Sequence, residues 1–181
     1  VAIVLFEKGA GTVKKAVGLC SGLSNINRHD YVLVKPNFVI WDDRYPFPKY
    51  GVITTASVLE EVVACLKDHG ISRITIGEGM VHSRDFGGGF DALIAGMKLH
   101  LLKDRYGVRL VDFNRGRYEE VDFGEFRLKI AEEALRADAI VSLPVLKTHN
   151  NTKISLGFKN LKGCLHLRSK QFCHHPEISL H

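Results

Sequence analysis

Cysteine is sparse in this chain of 181 residues: the four present, Cys20, Cys65, Cys164 and Cys173, lie far apart, and no C-x-x-C occurs. That spacing excludes a zinc ribbon or a ferredoxin-type iron–sulfur loop within this sequence, because both draw on closely spaced cysteine pairs. The thiols are expected to be reduced, as in cytoplasm, since a disulfide framework is improbable at this size. Cys65 falls on the apolar side of a helical pattern and reads as a core residue. Long apolar runs are missing too. The longest is Val1–Phe6, far below the roughly 18 residues of a membrane span, and no basic stretch precedes it as a signal peptide requires. The expectation is a soluble, cytoplasmic protein with no membrane partner. The chain opens on Val1 rather than Met, which leaves room for a stretch upstream.

Charge of one sign is scarce everywhere but at one end. The net charge is +5, yet from Val145 onward Lys147, Lys153, Lys159, Lys162, Arg168 and Lys170 face Glu177 alone, while the first 144 residues hold 19 basic and 19 acidic groups. Five of the nine histidines (His149, His166, His174, His175 and His181) also fall in this last stretch. Such a concentration points to a small anionic ligand for the segment. A nucleic-acid partner is disfavoured, because only Phe158 and Phe172 interleave aromatic rings with the charge.

The length fits one domain over residues 1–181, with 145–181 as its basic, histidine-rich segment. Strands alternate with helices along it. Val1–Phe6 reads as a strand and Gly11–Cys20 as a helix, and Tyr31–Lys35 reads as a strand covered on both faces because it is apolar without alternation. Ser57-x-x-Glu60 has capping-box spacing and opens a helix that Gly70 ends. Ile71–Ile76 is a strand, Phe90–Leu101 a helix with one apolar stripe, and Val108–Phe113 a strand. Arg117–Val121 and Glu125–Lys129 flank Asp122-Phe123-Gly124 as a hairpin. Ile130–Arg136 is a short helix and Ala139–Leu143 a strand that Pro144 stops. The alternation predicts an α/β fold, a mainly parallel sheet with helices on both faces plus a small β-hairpin.

In such sheets ligands bind beyond the carboxyl ends of the strands. Four strands place polar residues there: Lys35-Pro36-Asn37, Gly77-Glu78-Gly79 with His82 beyond, Asp112-Phe113-Asn114, and Pro144 through His149. Lys35, Asn37, Gly77, Gly79, Lys147 and Lys162 are the candidate ligand-binding residues, with Lys35, Lys147, Lys159 and Lys162 forming a pocket for a carboxylate or phosphate. Gly87–Gly89 before the Phe90 helix offers a second place for an anion. Neither glycine cluster matches a dinucleotide or P-loop motif. His29, His69 and His100 read as surface residues.

Val32–Asn37, Ile74–Gly79, Leu143–His149 and Leu156–Cys164 together resemble domain-of-unknown-function family 362, a resemblance spanning nearly the whole chain. Some members of that family carry fused ferredoxin-type iron–sulfur modules, and members commonly continue beyond the histidines. The resemblance therefore implies either an enzyme or cofactor-binding domain, or a non-catalytic redox accessory whose cluster lies outside this chain. A more distant resemblance links His149, Lys159 and His175 by spacing, with His82, to the N-terminal domain of nickel-pincer lactate racemase. It implies that His149, Lys159 and His82 are catalytic, the histidines moving protons and the lysine acting as nucleophile or carrier of a covalent cofactor. His174 and His175, with Cys173 or Cys164, are the candidate ligands of a metal ion. His149 and Lys159 are expected to face one pocket walled by Asn37 and Gly77–Gly79. A homo-oligomer is compatible with all of these readings.

Overall fold

The computed structural model describes residues 1–7, 9, 11–41, 51–81, 88–149 and 153–173. The chain begins without regular structure through Val1–Phe6, where Val1, Ile3 and Leu5 are exposed. The expected first strand is therefore absent: an apolar run becomes a strand only when a neighbour accepts its backbone hydrogen bonds. Helix α1 (Thr12–Leu19) follows, then strand β1 (Tyr31–Pro36), helix α2 (Ala56–Asp68) and strand β2 (Arg73–Glu78). The cap of α2 lies two residues before the expected Ser57. Thr55 accepts the Val58 amide at 3.4 Å and is the true N-cap.

The stripe from Phe90 to Leu101 folds as two helices, α3 (Gly89–Gly96) and α4 (His100–Tyr106), instead of one. Lys98 sits at φ 55° and ends α3, with the Leu99 amide reaching back to the Ile94 carbonyl at 2.9 Å. A left-handed residue after the last turn is a common helix stop, here made by lysine instead of glycine. Its consequence is that Leu99 turns fully inward. Strand β3 (Arg109–Asp112) leads through a 3-10 turn (Phe113–Arg115) to the hairpin β4 (Tyr118–Asp122) and β5 (Arg127–Ala131), the short helix α5 (Glu132–Leu135) and strand β6 (Ala139–Leu143).

Strands β3, β2, β1 and β6 form one parallel sheet in that order. Every residue of β1 is buried. Val32 and Val34 join a core with Leu59 and Val63 of α2, Leu93 of α3, Leu99 of the turn after it and Leu102 of α4. Leu33, pointing the opposite way, joins Phe113, Ala131, Ala134 and Cys164. Both faces are thus covered, as the unbroken apolar run of β1 required.

Past β6 the sequence reading named no elements, and the structure supplies several. A second hairpin pairs β7 (Lys147–His149) with β8 (Lys153–Ser155). Helix α6 (Gly157–Leu161), a 3-10 turn (Lys162–Cys164) and helix α7 (Leu167–Phe172) complete the described chain. This segment folds back on the domain: an antiparallel bridge joins Ile130 and Leu165, and the His166 amide donates to the Lys129 carbonyl at 2.9 Å.

Candidate functional site

The order in which the chain adds strands reverses at β1, with β2 on one side and the late strand β6 on the other. Strand ends diverge there and leave a crevice at the carboxyl rim. Helix α6 sits over it. Asn160 Nδ2 donates both to the Lys35 carbonyl at 2.9 Å and to Ser142 Oγ at 3.0 Å, tying β1 to β6.

Beneath this cap lies a buried ion pair. Lys35 is fully buried, and its Nζ donates to Glu78 Oε2 at 2.6 Å and to the Pro36 carbonyl at 2.7 Å. Glu78 Oε2 also accepts the Phe38 amide at 3.0 Å, and Oε1 the Gly79 amide at 2.9 Å. A charge pair taken out of water persists only with such further hydrogen bonds. Gly163 closes over it so tightly that a Cβ there would lie 2.0 Å from Glu78 Oε1 and 2.6 Å from Lys35 Nζ. Gly79 meets the same backbone, its hypothetical Cβ falling 2.5 Å from the Gly163 carbonyl oxygen. The lack of side chains at 79 and 163 is what lets the terminal segment reach the rim.

Above this floor is a cleft of about 410 Å³, walled by Asn37, Phe38, Val39, Glu78, Gly79 and Val81 from the strand ends and by His149, Lys159, Lys162, Leu167, Lys170 and Gln171 from the terminal segment. Such a volume is typical of small-molecule sites. Burial lowers the pKa of Lys159, and the neighbouring Lys162 and Lys147 charges lower it further. Burial likewise lowers Lys162, Lys147 and Lys170, the last despite Glu78 nearby. Lys170 donates to the Gly79 carbonyl at 2.6 Å and Lys147 to the Val52 carbonyl at 2.6 Å. Burial pushes the Cys164 thiol, behind the ion pair, up to about 11.

His149 and Lys159 therefore do share one cleft with Asn37 and Gly79. Asn37 is buried, its Nδ2 donating to the Val52 carbonyl at 2.8 Å. Lys162 lines the cleft, and Lys147 stands near enough to Lys159 to act on its charge. Two expected ligand residues have different work. Lys35 is sealed against Glu78 because a cation inside a sheet needs an anion, so it is no open rim cation. Gly77 makes room for Phe113, whose Cε1 would lie 2.4 Å from an added Cβ. Gly88 similarly packs on Trp41, with 2.5 Å left to that carbonyl. His82, Gly87, His174 and His175 lie outside the described residues. Among the described residues no three of histidine, cysteine, aspartate and glutamate gather as a metal site. His29, His69 and His100 are exposed, and Cys65, Cys164 and Cys173 are buried free thiols.

Sequence reading placed Glu78 at the rim without a role and missed Lys170 and Gln171 as parts of the site. Glu78 was visible as the one acid between two rim glycines, and it is the natural counter-charge for a lysine inside a strand. Lys170 and Gln171 gave no signal beyond their place in a basic stretch.

Parallel sheet, reversal point and cleft together define an α/β protein with a lysine-rich, ligand-sized site at the carboxyl rim of its sheet. The chain belongs to the family described as Domain of unknown function (DUF362), whose model matches residues 32–181. It is similar to the thylakoid-associated protein sll1697 of Synechocystis sp., at 29% identity over 154 residues, covering 84% of this chain and 45% of that protein. The chain thus spans less than half the length of this curated relative. Among the described residues no helix is long and apolar enough to cross a membrane.

Proposed function

We propose that the rim cleft binds a small anion, a carboxylate or phosphate, and that His149 and Lys159 are the groups placed to exchange protons with it. One observation carries this reading: Lys159, Lys162 and Lys170 converge on a single cleft, with Lys147 close by. The carboxylate that lines it, Glu78, is already committed to Lys35 and two backbone amides. Partly desolvated cations held together repel one another, and an anion relieves both that repulsion and the lost hydration. A lysine whose pKa burial lowers, lining the same cleft as a histidine, also suits proton transfer. The racemase-like part of the reading is supported by the shared cleft of His149 and Lys159 and by spacing. Cytoplasmic placement belongs to the same proposal, with the thylakoid association of the relative as the competing placement.

Phosphate, sulfate or a small dicarboxylate is expected to raise the melting temperature, by about 2.7 kcal/mol of stabilisation at a hundredfold excess over Kd. Lys159→Ala with Lys162→Ala removes that response while the unliganded protein still melts cooperatively. A double variant stabilised as much as the parent places the anion site elsewhere.

A further inference from the structure

The cleft has two unlike walls. Lys159 and Lys162 follow one another along α6 and its 3-10 turn, and Lys170 projects from α7. Across from them the segments leaving β1 and β2 present Val39 and Val81, joined by the Val81 amide donating to the Val39 carbonyl at 3.2 Å. Phe38 closes the inner end and is fully buried. Val39, Val81 and Leu167 are not: they are 37%, 53% and 42% exposed although they line a concave site. A site for a bare inorganic anion needs donors on all sides and gains nothing from three aliphatic side chains left in water. A volume of about 410 Å³ also exceeds the need of a single phosphate or sulfate and falls in the range that holds a small organic molecule.

Resting on the anion-site reading above, we infer that the ligand is an amphipathic organic anion: a carboxylate or phosphate ester whose head meets Lys159, Lys162 and Lys170 and whose apolar body lies on Val39, Val81 and Leu167. The lysines fix the head, and the aliphatic side chains, Val39 and Val81 from the strand ends and Leu167 from α7, select the body by the area they remove from water. Affinity then depends on chain length in a way that charge alone does not produce.

The test is a titration of the intact chain with inorganic phosphate and with methyl, butyl and hexyl phosphate, followed by calorimetry and thermal shift. Kd is expected to fall about fourfold for each methylene that reaches the wall, until the cleft is filled. Val39→Ser with Val81→Ser flattens that series, and a cooperative melt of the unliganded variant, read separately, shows that it is folded. If inorganic and hexyl phosphate bind equally well, the amphipathic ligand is overturned while the anion site stands. If no member of the series binds, both fall together. If the parent shows the chain-length series but the serine variant keeps it, the apolar body lies on another surface and the assignment is wrong.

Discussion

The two ends of the domain are held together by different physics. From β1 to the turn after β3, the buried side chains are mostly Val, Ile, Leu and Phe. From Val145 to Cys173, the buried residues among those described are Ser155, Asn160, Cys164, Ser169 and Cys173. No buried aliphatic or aromatic residue occurs among them. Apart from Cys164, which packs with Leu33 and Phe113, its attachment runs through single directional contacts: Asn160 to β1 and β6, Lys147 to Val52, Lys170 to Gly79, and the Lys129 amide to Ser169 Oγ at 2.9 Å. Burial tolerates imprecise partners, whereas a polar group without its partner costs its full desolvation. The first region can therefore drift in sequence and still fold, while the second stays in place only if particular atoms meet.

The sharpest way to break this contrast is at the floor of the cleft, where both regions meet. Glu78→Gln leaves Lys35 buried without its counter-charge and is expected to cost about 4 kcal/mol in urea unfolding. A loss under about 1 kcal/mol would mean that Lys35 is not held as a charge.

Next comes a matched pair of truncations. Leu59→Ala, at a fully buried position of α2, is expected to lower global stability by about 3 kcal/mol and leave stabilisation by anions intact. Asn160→Ala removes two hydrogen bonds at a buried position and is expected to cost about 2 kcal/mol and abolish the anion response. If the two variants lose the same property, the regions are not physically distinct.

The smallest effect is in pH. The folded pKa values of Lys147, Lys159, Lys162 and Lys170 lie below the ordinary 10.5. The unfolded chain therefore binds more protons as pH rises toward 10.5, and these lysines make stability increase through that window. Cys164, pushed up to about 11, and Tyr118, pushed up to about 12, act in the opposite sense above their unfolded values. The lysine contribution is read as a difference. Lys159→Met with Lys162→Met should lose part of the rise as pH approaches 10.5 relative to the parent, measured by denaturant midpoint. An identical slope in both proteins would show that the cleft lysines keep ordinary pKa values.

How legible each region was follows from the same contrast. Tyr31–Lys35, the hairpin around Asp122-Phe123-Gly124 and Ala139–Leu143 could be read because period, β-branching and turn residues act locally, and the structure places them within a residue or two. The pocket shared by His149 and Lys159 was legible from strand-end logic and spacing. Three things were not. A one-residue break at Lys98 leaves the apolar stripe of Phe90–Leu101 unchanged, so the stripe alone reads as one helix. Val1–Phe6 carries a strand-like composition but pairs with no strand among the described residues. Lys35 looks the same in sequence whether it faces a ligand or Glu78, and only the closeness of Gly163 decides between them.

The seal that Gly163 makes over Lys35 and Glu78 also bears on the order of events in folding. The core on the α2–α4 face of the sheet can form before residues 145–173 arrive, since it includes none of them, whereas the core on the other face takes Cys164 from that segment. The terminal segment must then close a loop back to residues more than a hundred positions earlier, as Asn160 does with Lys35. Long-range closure is slow and offers little until it is complete. The cleft is accordingly expected to be completed late in folding, and a ligand that bridges its two sides acts as a latch on that step.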